Sequence, residues 1–240
     1  LPPAAPQNLS AVPIGSRQFD TLMHTYDTTG WHVFYYTYNR IDTTYHGDTA
    51  VFVHGSVRGW DSARIWFAGQ PVQFRGRADS IESHGHGFLQ AWDSRENQVF
   101  GARHRVLRVE GDPWAEPITR LVFNGNSIDT LHAIHHPRMN STCEANNYYT
   151  GTIRNVTLDS ASIYGDACPS SGSMSFTAKV SLLCTGNGGL DSLNINGTWS
   201  VGVTFNGATQ TRSFSNGLAS AVRVDTCGSA PVMSPFRFNR

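Results

Sequence analysis

The segment MSFTAKVSLLC, Met174 to Cys184, decides the fold class of this chain. Apolar side chains recur at every second position of this segment, and most of the positions between them are polar. The apolar set comprises Met174, Phe176, Ala178, Val180, Leu182 and Cys184. Because successive side chains of a β-strand point to opposite faces, this period predicts a strand with one apolar and one polar face. We therefore expect Cys184 to point into the core.

The next segment, NINGTWSVGVTFNG (Asn194 to Gly207), repeats the two-residue period. One face carries the apolar side chains Ile195, Trp199, Val201, Val203 and Phe205. The opposite face carries the polar side chains Asn196, Thr198, Ser200 and Thr204. The pairs Asn206-Gly207 and Asn216-Gly217 favour two-residue hairpin turns. Together these features predict an antiparallel meander with one solvated face.

The first half of the chain shows the same class of pattern. Between residues 19 and 138, aromatic and β-branched runs such as WHVFYYTYNRI, TAVFVHGSV and QVFGARHRVLRVEG are separated by Gly, Asp and Asn. Runs of this kind are typical of antiparallel strands. We predict an all-β protein made of one or two antiparallel β-sandwiches with Greek-key or meander connections.

Residue usage divides the chain into three predicted parts. Residues 1–18 are rich in Pro and are interpreted as an N-terminal arm. Residues 19–138 contain all ten histidines and no cysteine, whereas residues 139–240 contain all four cysteines and no histidine. We interpret these as a His- and Trp-rich β module and a disulfide-bearing β module. A single large β-domain is the alternative.

The composition bears on partners and on membranes. Charged residues make up only 15% of the chain, and the 18 basic residues balance the 18 acidic ones. Such a chain has no net field that would recruit nucleic acid. No run of 18 apolar residues occurs in the sequence, so we expect no membrane span.

The cysteines and the opening residues indicate a compartment outside the cytosol. The chain starts with LPPAAPQ, which is similar to what remains after removal of a signal peptide. The four cysteines, Cys143, Cys168, Cys184 and Cys227, form no CxxC pair and predict two disulfides. Of the three pairings available to four cysteines we prefer the sequential one, 143 with 168 and 184 with 227. We expect a secreted or cell-surface protein, periplasmic or lipid-anchored if the source is bacterial.

Four sequons fit a secreted glycoprotein. They begin at Asn8, Asn140, Asn155 and Asn196. Asn196 falls on the polar face of its predicted strand, where a glycan would meet solvent.

Histidines carry the sharpest chemical signal, because five of the ten lie in IESHGHGFLQAW (Ile81 to Trp92) and LHAIHHP (Leu131 to Pro137). On a strand, His84 and His86 project to the same side about 6–7 Å apart. Two imidazoles so placed can bind one Zn or Cu ion. Glu82 falls on the same side as a third ligand or as a partner for a ring N–H.

A fuller metal site would take a ligand from the second histidine segment. His132 or His136 would complete the site if the two strands are neighbours. Gly85 and Gly87 are expected to let the backbone bend around the ion. The stretch HGHGFLQ, His84 to Gln90, resembles the first metal-binding motif of the cupin family, which implies a β-fold with a bound metal. Gln90 stands where that motif has Glu, and the second cupin motif has no counterpart in this chain.

Three functions remain as hypotheses. The sequence contains no G-x-S-x-G, no H-E-x-x-H and no phosphate-binding Gly loop, so the catalytic residues are unknown and we favour a non-enzymatic module that binds a protein partner or assembles with copies of itself. The first alternative is a Zn or Cu protein, or a metal-dependent enzyme, built on the His-x-His pair. The second is a carbohydrate-binding protein, because aromatic side chains can stack on sugar rings. The aromatic candidates are Trp31, Tyr35, Tyr36, Tyr38, Trp60, Trp66 and Trp92.

Overall fold

The computed structural model describes residues 21–27, 29–46, 49–72, 77–137, 140–186 and 192–227. The elements are β1 (Thr21–Tyr26), β2 (Trp31–His46), β3 (Thr49–Phe67), β4 (Gln70–Val72), β5 (Ser80–Asp93), β6 (Gln98–Glu110), β7 (Arg120–His135), β8 (Thr142–Asp159), α1 (Ser160–Tyr164), β9 (Ser171–Thr185), β10 (Leu193–Phe205), β11 (Thr209–Ser215) and β12 (Ser220–Thr226). The predicted arm, residues 1–18, and the sequon at Asn8 lie outside the described residues.

The strands form a single antiparallel sheet of 12 strands. Each strand pairs with its neighbours in the chain, except that β4 pairs only with the end of β3 and β5 takes the next place in the sheet. The all-β prediction is confirmed, and the connections are those of a meander. The described strands lie in one open sheet, so no second sheet faces it within these residues.

The predicted alternation of faces is confirmed by the strand registers. Phe176 of β9 lies opposite Val201 of β10, which lies opposite Phe214 of β11. The same face carries the four residues of the buried hydrophobic cluster, Leu121, Phe123, Val156 and Leu158. We call it the core face, and we call the opposite face, which carries His84, His86 and Thr198, the polar face.

A β-bulge keeps the cluster on one face. The β7–β8 register shifts between the pairs Gly125–Ile153 and Phe123–Val156, with Asn155 in the left-handed region at φ 48°. The backbone N–H of Asn155 donates to Asn124 Oδ1 at 2.8 Å. Since a bulge inserts one extra residue on one strand, both Ile153 and Val156 point to the core face despite their odd spacing.

A short helix follows directly after the core strand β8. Asp159 caps α1 by accepting a hydrogen bond from the Ser162 backbone N–H at 3.0 Å. Ile163 of this helix packs against the hydrophobic cluster. The helix therefore covers the end of the core face where the largest buried side chains lie.

Both predicted hairpins in the C-terminal part are present, with loops centred one residue later than expected. The two-residue loops are Gly207–Ala208 and Gly217–Leu218, because the preceding Asn backbone N–H groups donate across the turn to Thr209 and Ala219. The two glycines have φ values of 85° and 80°. Glycine reaches this region without steric cost, which explains why it holds the first loop position.

The proposed boundary near residues 137–143 falls between β7 and β8. These two strands pair along most of their length, from Arg120–Asp159 to His135–Cys143. The sheet therefore continues across the boundary, and the division into two modules stays a prediction.

Candidate functional site

His84 and His86 lie on the polar face of β5, on the same side of the sheet as Glu82. The ring Nε2 of His84 lies 2.9 Å from Glu82 Oε1, as expected for a carboxylate partner of a ring N–H. The His84 ring also meets the edge of Trp31 at a centroid distance of 5.0 Å. A second partner of Glu82 is Arg64, whose Nη2 lies 3.3 Å from Oε2.

His86 pairs with a histidine that the sequence did not single out. His104 of β6 lies directly opposite it, and its Nδ1 is 2.9 Å from His86 Nε2. Trp60 of β3 packs on the other side of the His86 ring at a centroid distance of 4.2 Å. The sequence signal for this pair is the β5–β6 loop at residues 94–97, because the loop position fixes which residues of the two strands face each other.

The electrostatic surroundings keep the His86 ring neutral and the Glu82 carboxyl charged. Burial lowers the pKa of His86, and the neighbouring imidazoles His104 and His84 lower it further, while Asp61 acts in the opposite direction. The hydrogen bond from His84, followed by that from Arg64, lowers the pKa of Glu82 against the effect of burial. A neutral imidazole beside a charged carboxylate is the form that can bind a metal ion.

The second histidine segment is not brought to this cluster. His132 lies on the polar face, but it is four residues along β7 from Ile128, the residue opposite His104, which is about 13 Å of strand. Its Nδ1 lies 2.7 Å from Asn146 Oδ1. His136 follows the end of β7, where its ring Nδ1 lies 3.2 Å from Thr142 Oγ1.

The described residues contain no group of three or more His, Cys, Asp and Glu side chains arranged to hold a metal ion. The histidine cluster on β5 and β6 contains one close pair of rings, His86 and His104. Next to this pair, His84 and Glu82 are hydrogen-bonded to each other. Metal binding stays a prediction. Its candidate ligands are the imidazoles of His86 and His104 in place of His84 and His86.

Gly85 and Gly87 serve the opposite face of the sheet rather than a bend around an ion. A Cβ on Gly85 would lie 2.5 Å from Asp61 Oδ1, and one on Gly87 would lie 3.2 Å from the Tyr36 hydroxyl oxygen. These glycines therefore leave room for polar side chains on the core face. Asp61 accepts a hydrogen bond there from Arg105 Nη2 at 3.0 Å.

These polar side chains line a cavity of about 760 Å³ on the core face. Tyr36 and Asp61 are buried there, and Arg103 hydrogen-bonds Asp129 beside them. Burial raises the pKa of Tyr36, and the charge of Asp61 adds to this effect. The signal that would have placed Arg103 and Arg105 here is the two-residue period of RHRVLRV, which puts both on the face of Leu107 and Val109.

An apolar surface extends over the core face of β9, β10 and β11. It consists of Phe176, Ile195, Trp199, Val201 and Phe214, which are 44%, 47%, 43%, 38% and 38% exposed. The Trp199 and Phe214 rings contact each other at a centroid distance of 5.6 Å. Within the described part of the chain, no element covers this surface, because the sheet is a single layer here.

All four cysteines are paired, but the sequential pairing is wrong. The disulfides join Cys143 to Cys184 and Cys168 to Cys227. The first follows from the register, because Cys143 of β8 lies directly opposite Cys184 of β9 on the core face. The second joins the buried Cys168, after α1, to the end of β12. Two disulfides indicate an oxidising compartment.

The asparagines of the three sequons within the described residues are exposed, but Val156 and Thr157 of the sequon at Asn155 are buried. Asn140 and Asn155 have positive φ values of 65° and 48°. Asn196 lies on the polar face of β10, as predicted, where its side-chain amide donates to Asn194 Oδ1 at 2.6 Å. Their glycosylation stays a prediction.

None of the described helices has the length and apolar character needed to cross a membrane. Comparison of the chain with models of protein families, with curated protein sequences and with solved structures finds no match. The proposals below therefore depend on the geometry of the chain itself.

Proposed function

We propose that this protein is a non-enzymatic, secreted or cell-surface binding module that associates with a second copy of itself through the apolar surface of β9–β11. The observation that carries the proposal is the exposure of Trp199, Phe176 and Ile195 on one face of a single-layered sheet. Monomeric proteins rarely leave a contiguous apolar patch of this kind open to water. A sheet with one apolar face normally packs that face against a second layer.

The charges at the edge of the apolar surface favour a copy as the partner. Arg212 and Arg223 lie on the core face next to Asp225, with Nε to Oδ distances of 3.5 Å and 2.6 Å. A twofold interface brings the same patch of two chains together, so charged groups on that patch are complementary when both signs are present. Arg223 and Asp225 provide them at the rim, and the aromatic side chains provide the apolar centre.

The type of surface supports binding rather than catalysis. The apolar surface carries exposed aromatic and aliphatic side chains of the kind that protein interfaces bury, whereas Tyr36, Asp61 and Arg105 of the core-face cavity lie on β2, β3 and β6. The disulfides support a location outside the cytosol, and the exposed asparagine of the sequon at Asn140 is consistent with a secreted glycoprotein.

The test is a pair of matched Trp→Ser variants measured by size-exclusion chromatography with light scattering. Trp199→Ser removes the centre of the apolar surface and should raise the dimer Kd by about 30-fold, since buried Trp residues at interfaces contribute about 2 kcal/mol or more. Trp92→Ser is the control, because Trp92 is equally exposed, at 40%, but lies on the polar face. Its Kd should stay within about twofold of the wild-type value.

Two outcomes would contradict the proposal. One is a wild-type protein that elutes with the mass of a single chain at every concentration. The other is an equal loss of association in the two Trp variants, which would place the contact elsewhere.

Metal binding is the second candidate function, and the His86–His104 pair favours it. Two imidazole nitrogens that share one ion, at about 2.0–2.1 Å each, lie about 3.3 Å apart at the tetrahedral angle of Zn and about 2.9 Å apart at the right angle of a square-planar Cu site. The 2.9 Å between His86 Nε2 and His104 Nδ1 matches the shorter of these distances. Water would complete the coordination of an ion held by two side chains.

Elemental analysis of the untagged protein tests this candidate. We expect close to one equivalent of Zn or Cu in the wild type and its loss in the His86→Gln/His104→Gln variant. His132→Gln is the control, since His132 lies on the same face but outside the cluster, and it should keep the metal. Metal-free wild-type protein after reconstitution with either ion would remove this candidate.

A further inference from the structure

We propose that a groove on the polar face binds a linear acidic polysaccharide. The groove encloses about 990 Å³ and crosses seven neighbouring strands, β3 and β5 to β10. With about 4.8 Å between strands, it is about 29 Å long and runs across the strand direction. It lies on the face opposite the apolar surface of β9–β11, so this proposal is independent of self-association.

Two rows of side chains, set by the strand registers, form the floor of the groove. In the first row, successive strands contribute Arg58, Phe88, Thr130, Tyr148, Lys179 and Thr198, with the small Ala102 between Phe88 and Thr130. In the adjacent row, the larger side chains are Gln90, Phe100, His132, Asn146 and Asn196. The floor of the groove therefore holds both aromatic rings and amides.

Three aromatic side chains in the groove are open to solvent. Phe88, Phe100 and Tyr148 are 49%, 37% and 39% exposed. Such rings are platforms for the apolar faces of sugar rings, and the amides of Gln90 and Asn146 can bond hydroxyl groups beside them. An extended saccharide can contact both kinds of group along the groove.

The charge of the groove favours an acidic ligand. Among the described residues no carboxylate lines it, whereas Arg58 and Lys179 do, and Lys179 is the only lysine of the sequence. Within the described residues neither cation forms a salt bridge, and Arg58 is held with its guanidinium carbon 5.7 Å from the Phe88 ring centre. Glu144 borders the groove, where it accepts a hydrogen bond from Asn146 Nδ2 at 3.0 Å.

The spacing of the two cations favours a polymer over a small anion. Arg58 and Lys179 are separated by five strand intervals, or about 24 Å along the sheet. This exceeds the Debye length of about 8 Å at physiological ionic strength, so one small anion cannot interact with both. A chain with carboxylate or sulfate groups at repeated positions can.

A polysaccharide fits the groove better than a peptide or a nucleic acid. Every strand that forms the groove is paired on both sides, so no free backbone edge can take up a peptide strand. Nucleic acids require many phosphate contacts by Lys and Arg, and the groove has two such residues.

Affinity electrophoresis of the full chain, produced with its disulfides and without N-glycans, tests the proposal. The gels contain polygalacturonate, chondroitin sulfate, neutral hydroxyethylcellulose or polyglutamate. We expect retardation by one or both acidic polysaccharides. Both polymers carry carboxylates, so retardation by chondroitin sulfate alone would indicate that its sulfate groups are recognised. The neutral polymer and the acidic peptide should not retard the protein.

Matched variants place the binding in the groove. Lys179→Gln and Phe100→Ala should each weaken binding about tenfold, whereas Lys179→Arg should preserve it. The controls are Arg108→Gln and Tyr35→Ala, which alter an exposed cation and an exposed aromatic residue of the same face outside the groove. No retardation by either acidic polysaccharide, equal retardation by hydroxyethylcellulose or polyglutamate, or unchanged binding by Lys179→Gln would overturn the proposal.

Discussion

At the scale of single residues, Gly85 and Gly87 of β5 leave space for side chains on the core face. His84 and His86 of the same strand lie on the polar face. Gly85 lies between Asp61 and Arg105, and a Cβ there would lie 2.5 Å from Asp61 Oδ1 and 2.6 Å from Arg105 Nε. Both atoms belong to one hydrogen-bonded ion pair whose carboxylate is buried, so the pair has little freedom to move aside.

Gly85→Ala is therefore expected to lower the free energy of unfolding by about 1–3 kcal/mol, the cost of overpacking a buried site. The control is Gly55→Ala in β3, where an added Cβ has no neighbour within 4 Å. It should leave stability unchanged or raise it slightly, because Ala loses less backbone entropy than Gly. Chemical denaturation measures both, and equal stability of the two variants would contradict the role assigned to Gly85.

A buried histidine makes the stability of the protein depend on pH. Burial lowers the pKa of His32, and the charge of His24, whose Nε2 lies 3.2 Å from His32 Nδ1, lowers it further. The unfolded chain binds a proton at His32 near pH 6.5 while the folded chain does not, so stability falls as pH drops below about 6.5. We expect a lower Tm at pH 5.5 than at pH 7.5, and a smaller difference in His32→Phe. An unchanged difference in the variant would show that other groups cause it.

The candidate site shows which residue-level facts the sequence can predict. The alternation of side chains correctly placed His84, His86 and Glu82 on one face, because that depends only on local strand geometry. His104 could not be assigned as the partner of His86, because the register of two strands depends on the loop and on packing along the whole hairpin.

At the scale of elements, the two disulfides differ in whether the segments that they connect are already paired as neighbouring strands. Cys143 and Cys184 join β8 and β9, which are already paired along most of their length. Cys168 and Cys227 join the segment after α1 to the end of β12, an edge strand of seven residues whose one partner among the described strands is β11. Besides the pairing of β11 with β12, the second disulfide therefore attaches the sheet edge to the segment after α1.

The Cys168→Ala/Cys227→Ala variant is expected to lower stability by about 2–4 kcal/mol and to speed hydrogen exchange in β11 and β12. In the matched Cys143→Ala/Cys184→Ala variant, exchange in β11 and β12 should stay at the wild-type rate, because β8 and β9 remain paired. Exchange measured by mass spectrometry distinguishes the two. Identical exchange maps would contradict the attachment of β12 through Cys168.

At this scale the sequence predicts the strands correctly, but it does not predict which cysteines pair. The period of Met174–Cys184 and the Asn-Gly pairs contain enough local information to predict β9 to β12 and their hairpins. Cysteine pairing depends on which strands are neighbours and in which register, and sequence spacing alone does not contain that information.

At the scale of the whole molecule, the described strands form one open sheet of 12 strands. The all-β class is as predicted, and the pairing of two sheets in a sandwich stays a prediction. The sequence predicted that each strand has an apolar face, but it could not show what covers that face. In the described chain, α1 and the cluster around Leu121 and Val156 cover one end, while the apolar surface around Trp199 is left open. The proposed function depends on this open surface being closed by a second chain.

Sedimentation equilibrium of the wild-type protein over a range of micromolar concentrations tests this dependence most directly. If two copies bury the apolar surface of β9–β11 between them, the fitted mass rises with concentration to twice the 26.3 kDa of the chain. A fitted mass of 26.3 kDa at all concentrations would contradict the central claim.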